Sequence, residues 1–292
     1  MGGAAARGRR HADRPSWIKI RYRSSPELER LQQLVRSQSL HTVCESAACP
    51  NLSDCWSRGT ATFMLGGDTC TRRCGFCDIK TGRPAPLDTE EPVRVAEAIA
   101  RLGLRYAVIT AVARDDVPDG GAGHFAATLR ALREAAPECR AEVLVPDFKG
   151  SADALRSVLE ARPDVLNHNL ETVERLQRRV RPQARYDRSL ALLARSREIA
   201  PDIPTKTGLM LGLGETEVEI EQALRDVVRQ DCRLLTLGQY LQPHGHHLPV
   251  ERWVEPAEFD HWASVARGLG FAEVASGPLV RSSYRAEQLA AR

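Results

Sequence analysis

The stretch Thr60-Ala-Thr-Phe-Met-Leu-Gly-Gly67, followed closely by Cys70-Thr-Arg-Arg-Cys74-Gly-Phe-Cys77, joins an apolar run of strand length to a cysteine-rich loop. Beyond it, short apolar runs alternate with amphipathic helical patterns. The predicted strands are Thr60–Gly67, Tyr106–Ala113, Ala141–Val145, Asp164–Leu170, Pro204–Gly212 and Arg233–Leu241. Val95, Ile99 and Leu102 form one apolar stripe, which suits a helix that packs on one face of a sheet.

Six consecutive strand–helix units predict an α/β fold with a parallel sheet and right-handed crossovers. Six units are two short of a closed eight-stranded barrel. We therefore expect a partial (β/α)6 TIM-like barrel, with its active face at the carboxyl ends of the strands. A helix at about Pro256–Leu269 precedes a short apolar segment, Phe271–Ala275. The predicted divisions are a disordered N-terminus (1–15), an N-terminal extension (16–59), the barrel (60–276) and a tail (277–292) that covers the open face.

Composition narrows the class of protein. The 292 residues are 42% hydrophobic, so the chain can bury a large core, and no apolar run approaches the ~18 residues of a membrane helix. A net charge of only +3 argues against wholesale nucleic-acid binding. Residues 1–15 lack the apolar centre of a secretory signal. The short cysteine spacings suit metal chelation rather than disulfides, which indicates a reducing, cytoplasmic setting.

Six of the eight cysteines form two triplets, Cys44-x4-Cys49-x5-Cys55 and Cys70-x3-Cys74-x2-Cys77. Three thiolates can hold three corners of an iron–sulfur cube and leave the fourth iron open to a substrate. Zinc is the alternative for the second triplet, although zinc normally takes four protein ligands and this loop offers three with no neighbouring His. A zinc site, or a disulfide with a spare thiol, is the alternative for the first triplet.

Two residues of the second loop have predicted roles of their own. Gly75 is expected to allow its tight bend, and Phe76 to shield the cluster from water.

The second triplet resembles the signature of radical S-adenosylmethionine (SAM) enzymes. With the first triplet and Gly59-Thr-Ala-Thr-Phe-Met-Leu65, the chain is similar to the lipoyl synthase family from about Trp17 onward. The other similar segments are Pro118-Asp-Gly-Gly-Ala-Gly-His-Phe125, Asn167-His-Asn-Leu-Glu-Thr172, Lys206-Thr-Gly-Leu-Met-Leu-Gly212, Tyr240-Leu-Gln-Pro243, His246-His-Leu-Pro249 and Arg281-Ser-Ser-Tyr284.

The resemblance implies two 4Fe–4S clusters and SAM as cofactors. Cys70, Cys74 and Cys77 would hold the cluster that binds SAM. The auxiliary cluster would be held by Cys44, Cys49, Cys55 and, as its fourth ligand, Ser283. An alkoxide is a harder ligand than a thiolate and matches iron–sulfur sites less well, so its bond should be labile, which suits a cluster that donates sulfur. Ser283 would leave during the reaction, and Arg281 could stabilise the departing oxygen.

Further residues are candidates for binding SAM. Asn169 and Glu171 lie two apart at the end of a predicted strand, so their side chains share one side of the chain and could contact the ribose or the methionyl amine. Gly208, Met210 and Gly212 match a radical SAM motif, with Met210 in place of Ile, and the resemblance places them beside the adenine. Strand ends with helix caps are the alternative for both motifs.

The resemblance also implies the reaction and its partners. The reaction is sulfur insertion at C6 and C8 of an octanoyl chain on a lysine of a carrier, either a lipoyl domain of a 2-oxoacid dehydrogenase or the glycine cleavage H protein. An electron donor such as ferredoxin or flavodoxin is implied, and we expect a monomer. Six arginines are a candidate docking face for an acidic carrier, with a solvated helix face as the alternative. They are Arg175, Arg178, Arg179, Arg181, Arg185 and Arg188.

Two rival functions remain at this level. Another radical SAM sulfur inserter shares the Cys70 loop, but biotin synthase lacks the first triplet, and a methylthiotransferase carries an additional nucleic-acid-binding module. A zinc-binding, non-catalytic module is the other rival.

Several remaining residues carry no catalytic assignment. The loop Arg114-Asp-Asp116 has no assigned role, because Ala113 replaces the acid that the family usually shows. His246 and His247, which follow the unusual pair His244-Gly245, are interpreted as channel or structural residues. Cys139 and Cys232 stand alone at strand starts and are predicted core thiols.

Overall fold

The computed structural model describes residues 14–19, 26–38, 40–46, 49, 51–57 and 60–290. The predicted disordered segment 1–15 therefore lies outside the described residues, apart from its last two. Among the described residues, no helix is both long enough and apolar enough to cross a membrane.

An eight-stranded sheet in the order β1-β2-β5-β6-β7-β8-β9-β10 forms the centre of the described chain. The strands are β1 (His41–Thr42), β2 (Thr60–Leu65), β3 (Thr69–Cys70), β4 (Lys80–Thr81), β5 (Tyr106–Ala111), β6 (Arg140–Leu144), β7 (Val165–Asn167), β8 (Thr205–Leu211), β9 (Leu234–Gln239) and β10 (Glu273–Gly277). Only β1 is antiparallel to its neighbour, and β3 with β4 forms a separate parallel pair. The predicted α/β class and parallel sheet are confirmed.

Helices separate the parallel strands, as the apolar periodicity predicts. They are α1 (Pro26–Ser37), α2 (Val43–Ser46), α3 (Leu52–Ser57), α4 (Glu91–Leu102), α5 (Ala122–Ala135), α6 (Ala152–Glu160), α7 (Gln177–Val180), α8 (Tyr186–Ile199), α9 (Glu217–Val228), α10 (Pro256–Leu269) and α11 (Ala286–Leu289). A capping box begins α9, where the Thr216 side chain accepts from the Glu219 backbone and the Glu219 side chain accepts from the Thr216 backbone.

The two faces of each strand meet different surroundings. Ala107 and Ile109 of β5 belong to the core that β5 shares with the helices, whereas Tyr106 and Val108 pack against Ala286 of α11. Side chains alternate between faces along a strand, so the second set points to the inner side of the sheet. Full burial of side chains such as Ile109 stabilises the fold by about 1.5–3 kcal/mol each.

The sheet curls around one cavity. Met64 of β2, Thr110 of β5, Leu144 of β6, Gly208 of β8 and Thr236 of β9 all line it. A flat sheet could not bring inner-face residues of so many strands onto one cavity. The sheet is open, because β1 and β10 are the two ends of its order. This arrangement is the predicted partial barrel.

Differences from the predicted elements are small and local. Each predicted strand overlaps one strand of the sheet, but β7 covers only part of the predicted Asp164–Leu170. The chain leaves regular strand geometry there, since Glu171 has a positive φ of 67°. The apolar segment Phe271–Ala275 overlaps β10, a seventh parallel strand. The antiparallel strand β1 was not predicted, because two residues carry no readable periodicity.

The C-terminal tail turns back into the barrel. It follows β10 at the carboxyl edge of the sheet and ends in α11, whose Ala286 packs on the inner face of β5. The Arg140 Nη2 atom donates a hydrogen bond to the Ala290 carbonyl oxygen at 2.9 Å. The tail also contacts the N-terminal extension, because the Asn51 Nδ2 atom donates to the Leu279 carbonyl oxygen at 2.6 Å.

Candidate active site

The cavity has a volume of about 570 Å³ and opens at the carboxyl ends of the strands. Eleven of the thirteen predicted site residues line it: Cys44, Cys49, Cys70, Cys74, Cys77, Asn169, Glu171, Gly208, Met210, Arg281 and Ser283. Cys55 and Gly212 do not line it. The fold thus brings residues that are up to about 240 positions apart in the sequence to one place, counting from Cys44 to Ser283.

The loop from Cys70 to Cys77 follows β2, and its base is closed by the pairing of β3 with β4. The Cys70 Sγ atom accepts hydrogen bonds from the backbone N–H groups of Arg72 at 3.4 Å and Ala113 at 3.3 Å. Such N–H donors stabilise a thiolate and orient it as a ligand. Phe76 is half-buried and lines the cavity, in the place expected for a shield.

Gly75 lies in a turn of the loop, as predicted, which the Cys77 N–H closes by donating to the Cys74 carbonyl oxygen at 3.1 Å, and it is also closely packed. Its backbone N–H donates to the Val180 carbonyl oxygen at 2.8 Å, and its carbonyl oxygen accepts from the Leu248 N–H at 3.0 Å. A Cβ at this position would lie 2.8 Å from the Leu248 Cδ1 and Cγ atoms. The absent side chain therefore lets the loop pack closely between two neighbouring segments.

The N-terminal triplet lies beside the tail. Cys44 is buried, and its carbonyl oxygen accepts from the Cys49 N–H at 3.1 Å. Cys55 packs against the core that contains Cys44. The positive charge of Arg281 acts to lower the pKa of the Cys49 thiol, against burial, which raises that pKa. The tail thus brings Arg281, Ser282 and Ser283 to the cavity that Cys44 and Cys49 also line.

A close backbone contact fixes the start of the tail. A Cβ on Gly238, in β9, would lie 2.1 Å from the Val280 carbonyl oxygen. The Arg281 Nη1 atom donates to that same oxygen at 2.7 Å. The tail can therefore take this path only because Gly238 has no side chain.

Asn169 and Glu171 share one side of the chain, as predicted. The Asn169 Nδ2 atom donates to Glu171 Oε1 at 3.1 Å, and Asn169 Oδ1 is buried with no hydrogen-bond partner in the described part of the chain. Backbone bonds to Gly208 and Met210, at 2.9 and 2.8 Å, hold Glu171 in its left-handed conformation. Strained backbone that is held in this way is common at binding sites.

Gly208 lies where the cavity wall is closely packed. A Cβ on Gly208 would lie 2.5 Å from Thr236 Oγ1 and 2.9 Å from Asn169 Oδ1, so only glycine leaves the space open. Gly212 instead shapes the loop after β8, with φ of 97°. Its N–H donates to Glu215 Oε1 at 2.6 Å, and the Leu213 N–H donates to Glu215 Oε2 at 2.9 Å.

Comparisons with known proteins agree with this geometry. A sequence profile of the Radical SAM superfamily matches residues 64–227. A lipoyl synthase of Thioalkalivibrio sulfidiphilus is 57% identical over 278 residues, covering 95% of this chain and 87% of the relative. A lipoyl synthase of Methylococcus capsulatus is 59% identical over 279 residues with the same coverage. The chain belongs to the lipoyl synthase family. Membership implies SAM and 4Fe–4S clusters as cofactors, as the resemblance predicted.

Solved structures support the fold of this lipoyl synthase family member. Methylornithine synthase aligns with a TM-score of 0.57 at 13% identity, over 88% of this chain and 79% of its own. The FeFe-hydrogenase maturase HydG from Carboxydothermus hydrogenoformans aligns with a TM-score of 0.55 at 12% identity, over 90% and 78%. The predicted radical SAM barrel is confirmed.

The cavity residues fit the cofactors that the family implies. The unpartnered Asn169 Oδ1 can accept from a hydroxyl or amine of SAM, and the space beside Gly208 can admit a flat group. Burial raises the pKa of the Cys44 and Cys74 thiols to about 11 and that of Cys77 to about 12. Iron must therefore displace protons that the apoprotein holds firmly, so cluster loading is coupled to deprotonation.

Family membership favours 4Fe–4S clusters over a single zinc ion at the cysteine triplets. Three histidines stack beside the cluster loop, where His247 Nε2 lies 3.0 Å from the Cys77 carbonyl oxygen and His244 Nε2 lies 3.3 Å from Asp78 Oδ1. These contacts agree with a structural role for His247.

The predicted arginine face is wrong in part. Arg181 is buried, lines the cavity and donates to the Asn169 and Leu170 carbonyl oxygens at 3.0 and 3.1 Å. Arg188 pairs with the buried Asp147 at 3.2 Å. Three of the remaining arginines pair with carboxylates of this chain, namely Arg175 with Glu219, Arg179 with Glu251 and Arg185 with Asp187. The face therefore offers far less free charge than the sequence indicates.

Sequence reasoning missed Arg72 and assigned no role to the loop Arg114-Asp-Asp116, which contacts it through Asp115. Arg72 is buried and pairs with Asp115 and Asp147. The only available signal was its position inside the cysteine loop. Arg114 is also buried, pairs with Asp116 at 2.8 Å and donates to the Ala85 carbonyl oxygen at 2.9 Å, which fixes the segment after the loop. Cys139 and Cys232 are buried core thiols, as predicted.

Proposed function

We propose that this protein inserts sulfur at C6 and C8 of an octanoyl chain held on a lysine of a carrier protein. The observation that carries the proposal is the convergence of residues from both cysteine triplets, namely Cys44 and Cys49 of the first and all three cysteines of the second, on one cavity with Asn169, Glu171 and the tail. When bound, SAM and one cluster supply a 5′-deoxyadenosyl radical, and the second cluster supplies the sulfur.

Each group of site residues has a separate proposed role. Cys70, Cys74 and Cys77 would hold the cluster that meets SAM. Asn169 and Glu171 would hold the polar groups of SAM, while Gly208 and Met210 would contact its adenine and Gly212 would shape the adjoining loop. Cys44, Cys49, Cys55 and Ser283 would hold the auxiliary cluster.

The role proposed for Arg281 is to act on Ser283. Burial lowers the pKa of its guanidinium, against the opposing influence of Cys49 and Glu171. No carboxylate in the described chain pairs with it, and its Nη1 atom bonds only to a carbonyl oxygen. A half-buried cation of this kind stabilises negative charge on a serine oxygen more than an exposed one does, because less water is present to screen it.

Part of the remaining cavity wall is apolar, which favours the exclusion of water from the acyl chain. Met64, Val112, Leu144, Leu209 and Val280 line it and offer no polar side-chain atom. A carbon radical formed on the acyl chain would thus meet aliphatic groups and the sulfur donor rather than solvent. An extended acyl chain suits such a lining.

The proposed partners are those that the resemblance to the lipoyl synthase family implies. The carrier would be a lipoyl domain of a 2-oxoacid dehydrogenase or the glycine cleavage H protein, and a ferredoxin or flavodoxin would provide the electrons. We infer a monomer that works in the cytoplasm, where eight free cysteines remain reduced.

The test is anaerobic reconstitution followed by reaction with SAM, dithionite and an octanoyl-lysine peptide. We expect about eight iron atoms per chain, four for each 4Fe–4S cluster, and a product heavier by two sulfur atoms on mass spectrometry. Cys139→Ser, which changes a core thiol outside the cavity, is the matched control and should form product. A protein that binds only one cluster, or that cleaves SAM without forming product, would overturn the proposal.

A further inference from the structure

Arg72 is a buried cation inside the cysteine loop, between Cys70 and Cys74. It is 7% exposed, whereas the next residue, Arg73, is exposed. Burying a guanidinium is costly unless it is fully paired. The sequence gives no reason for this cost, because neither acid that pairs with Arg72 is near it in the chain.

The pairing of Arg72 is extensive. Its Nε and Nη2 atoms donate to both oxygens of Asp115 at 2.7 and 2.8 Å, in the two-bond geometry typical of Arg and carboxylate. Nη2 also donates to Asp147 Oδ1 at 2.6 Å. The other oxygen of Asp147, which has no exposed side-chain surface, accepts from Arg188 Nη1 at 3.2 Å. The loop is thereby attached to the ends of β5 and β6 and to α8.

Net stability does not explain such a network. Replacing a buried ion pair by apolar residues is often neutral or stabilising. A buried ion pair is therefore weak evidence that the network serves the stability of the fold. What a fixed guanidinium fork provides instead is one defined position for the loop that carries it.

The position of the loop places two backbone N–H donors beside the sulfur atom of Cys70. The Arg72 backbone N–H donates to Cys70 Sγ at 3.4 Å, and the Ala113 N–H donates to the same atom at 3.3 Å. Thr71 ties the two segments together, because its Oγ1 donates to the Ala113 carbonyl oxygen at 2.8 Å and accepts from the Asp115 N–H at 3.1 Å. Hydrogen bonds to cluster sulfurs favour the reduced, more negative form and raise its reduction potential.

We propose that Arg72 is a positioning residue that raises the reduction potential of the cluster on Cys70, Cys74 and Cys77, by holding both backbone donors against Cys70 Sγ. The proposal rests on the cluster assignment made above. Asp115 and Asp147 serve as the two anchors.

The first test is Arg72→Lys, which keeps the positive charge but removes the planar group that makes two hydrogen bonds with Asp115. We expect its reduction equilibrium to shift at least tenfold toward the oxidised cluster, which is about 59 mV for one electron. Redox titration followed by electron paramagnetic resonance measures this shift. Iron content and the KM for SAM should stay near wild type, while kcat falls more with a weak reductant than with a strong one.

Asp147→Asn distinguishes position from charge. If the network acted only through its charges, removing a negative charge would raise the potential. If it acts by position, this variant lowers the potential, as Arg72→Lys does. The matched control is Arg175→Lys, because Arg175 makes the same fork with Glu219 at 2.6 and 2.9 Å on the exposed surface. It should leave the potential unchanged.

The outcomes are distinguishable. A wild-type potential in Arg72→Lys, or a raised potential in Asp147→Asn, would overturn the positioning role and leave the proposed function intact. A wild-type protein with no SAM-binding cluster would overturn the proposed function itself. If Arg72→Lys binds less iron than wild type, its potential is not informative, and Asp147→Asn becomes the deciding variant. A lowered potential in Asp147→Asn supports the positioning role, and a raised one overturns it.

Discussion

Gly238→Ala tests how closely the tail must be placed for sulfur insertion. The added Cβ would lie 2.1 Å from the Val280 carbonyl oxygen and 3.3 Å from Arg281 Nη1. Carbon and oxygen atoms in close non-bonded contact lie about 3.3 Å apart, so either β9 or the tail must move by roughly 1.2 Å. Overpacking of this kind costs about 1–3 kcal/mol of stability.

The functional loss should exceed the loss of stability. Arg281 and Ser283 lie one and three residues beyond the contact, so a shift of the tail would move them from the auxiliary cluster that we propose. A displacement of about 1 Å can lower a rate by roughly 100-fold. We expect that loss in lipoyl product by mass spectrometry, while 5′-deoxyadenosine from SAM, measured by chromatography, stays much closer to the wild-type amount.

Gly277→Ala is the matched control. Gly277 is the register partner of Gly238 on β10, and a Cβ there would meet only the Val280 Cγ2 atom, at an ordinary 3.5 Å. Its product yield should stay near wild type. Full product yield from Gly238→Ala, or an equal loss in both variants, would refute the argument that the contact at Val280 positions the tail.

The remaining predictions address separate parts of the molecule. Cys55→Ala should retain SAM cleavage and lose sulfur insertion, and lipoyl product from this variant would remove its proposed role. Lys206→Met should cost about 3–5 kcal/mol in chemical denaturation, since it leaves the fully buried Glu142 carboxylate without its cation, and adding Glu142→Gln should recover part of that loss. Burial, aided by the charge of Arg181, lowers the pKa of His168 to about 4. The fold should therefore lose up to about 3 kcal/mol as pH falls from 6.5 through 4, and ¹⁵N NMR should show a neutral imidazole at pH 5.5.

Much of the fold could be predicted because its signals are local. The parallel strands are apolar runs bounded by glycine, proline or polar residues, and α10 has the bounds that its sequence predicts, Pro256–Leu269. The carboxyl ends of parallel strands meet at one edge, so residues that follow different strands are expected to converge. That rule alone places the Cys70 loop and Asn169 beside the same cavity without any distance being known.

The contacts that fix side chains were not predictable in this way. Arg72 reaches partners 43 and 75 positions away, and nothing near it in the sequence indicates that it is buried. The arginines of the expected docking face were misjudged for the same reason. Their composition indicated free positive charge, but folding buried Arg181 and paired Arg188 with an acid from another strand end. Net charge on a segment is a local property, whereas free charge on a surface depends on the whole fold.

The two halves of the active site differ in how much the sheet determines them. In the proposed SAM half, Gly208 and Met210 lie in β8, and Glu171 pairs with Leu209 of the same strand, so the parallel sheet holds them. The proposed auxiliary half is assembled from the N-terminal extension and the tail, which are joined by the hydrogen bond from Asn51 to Leu279. The path of the tail depends on the absence of one side chain at Gly238. Changes outside the cysteines should therefore impair sulfur insertion more readily than SAM cleavage, because all four proposed ligands of the donor cluster lie outside the parallel sheet.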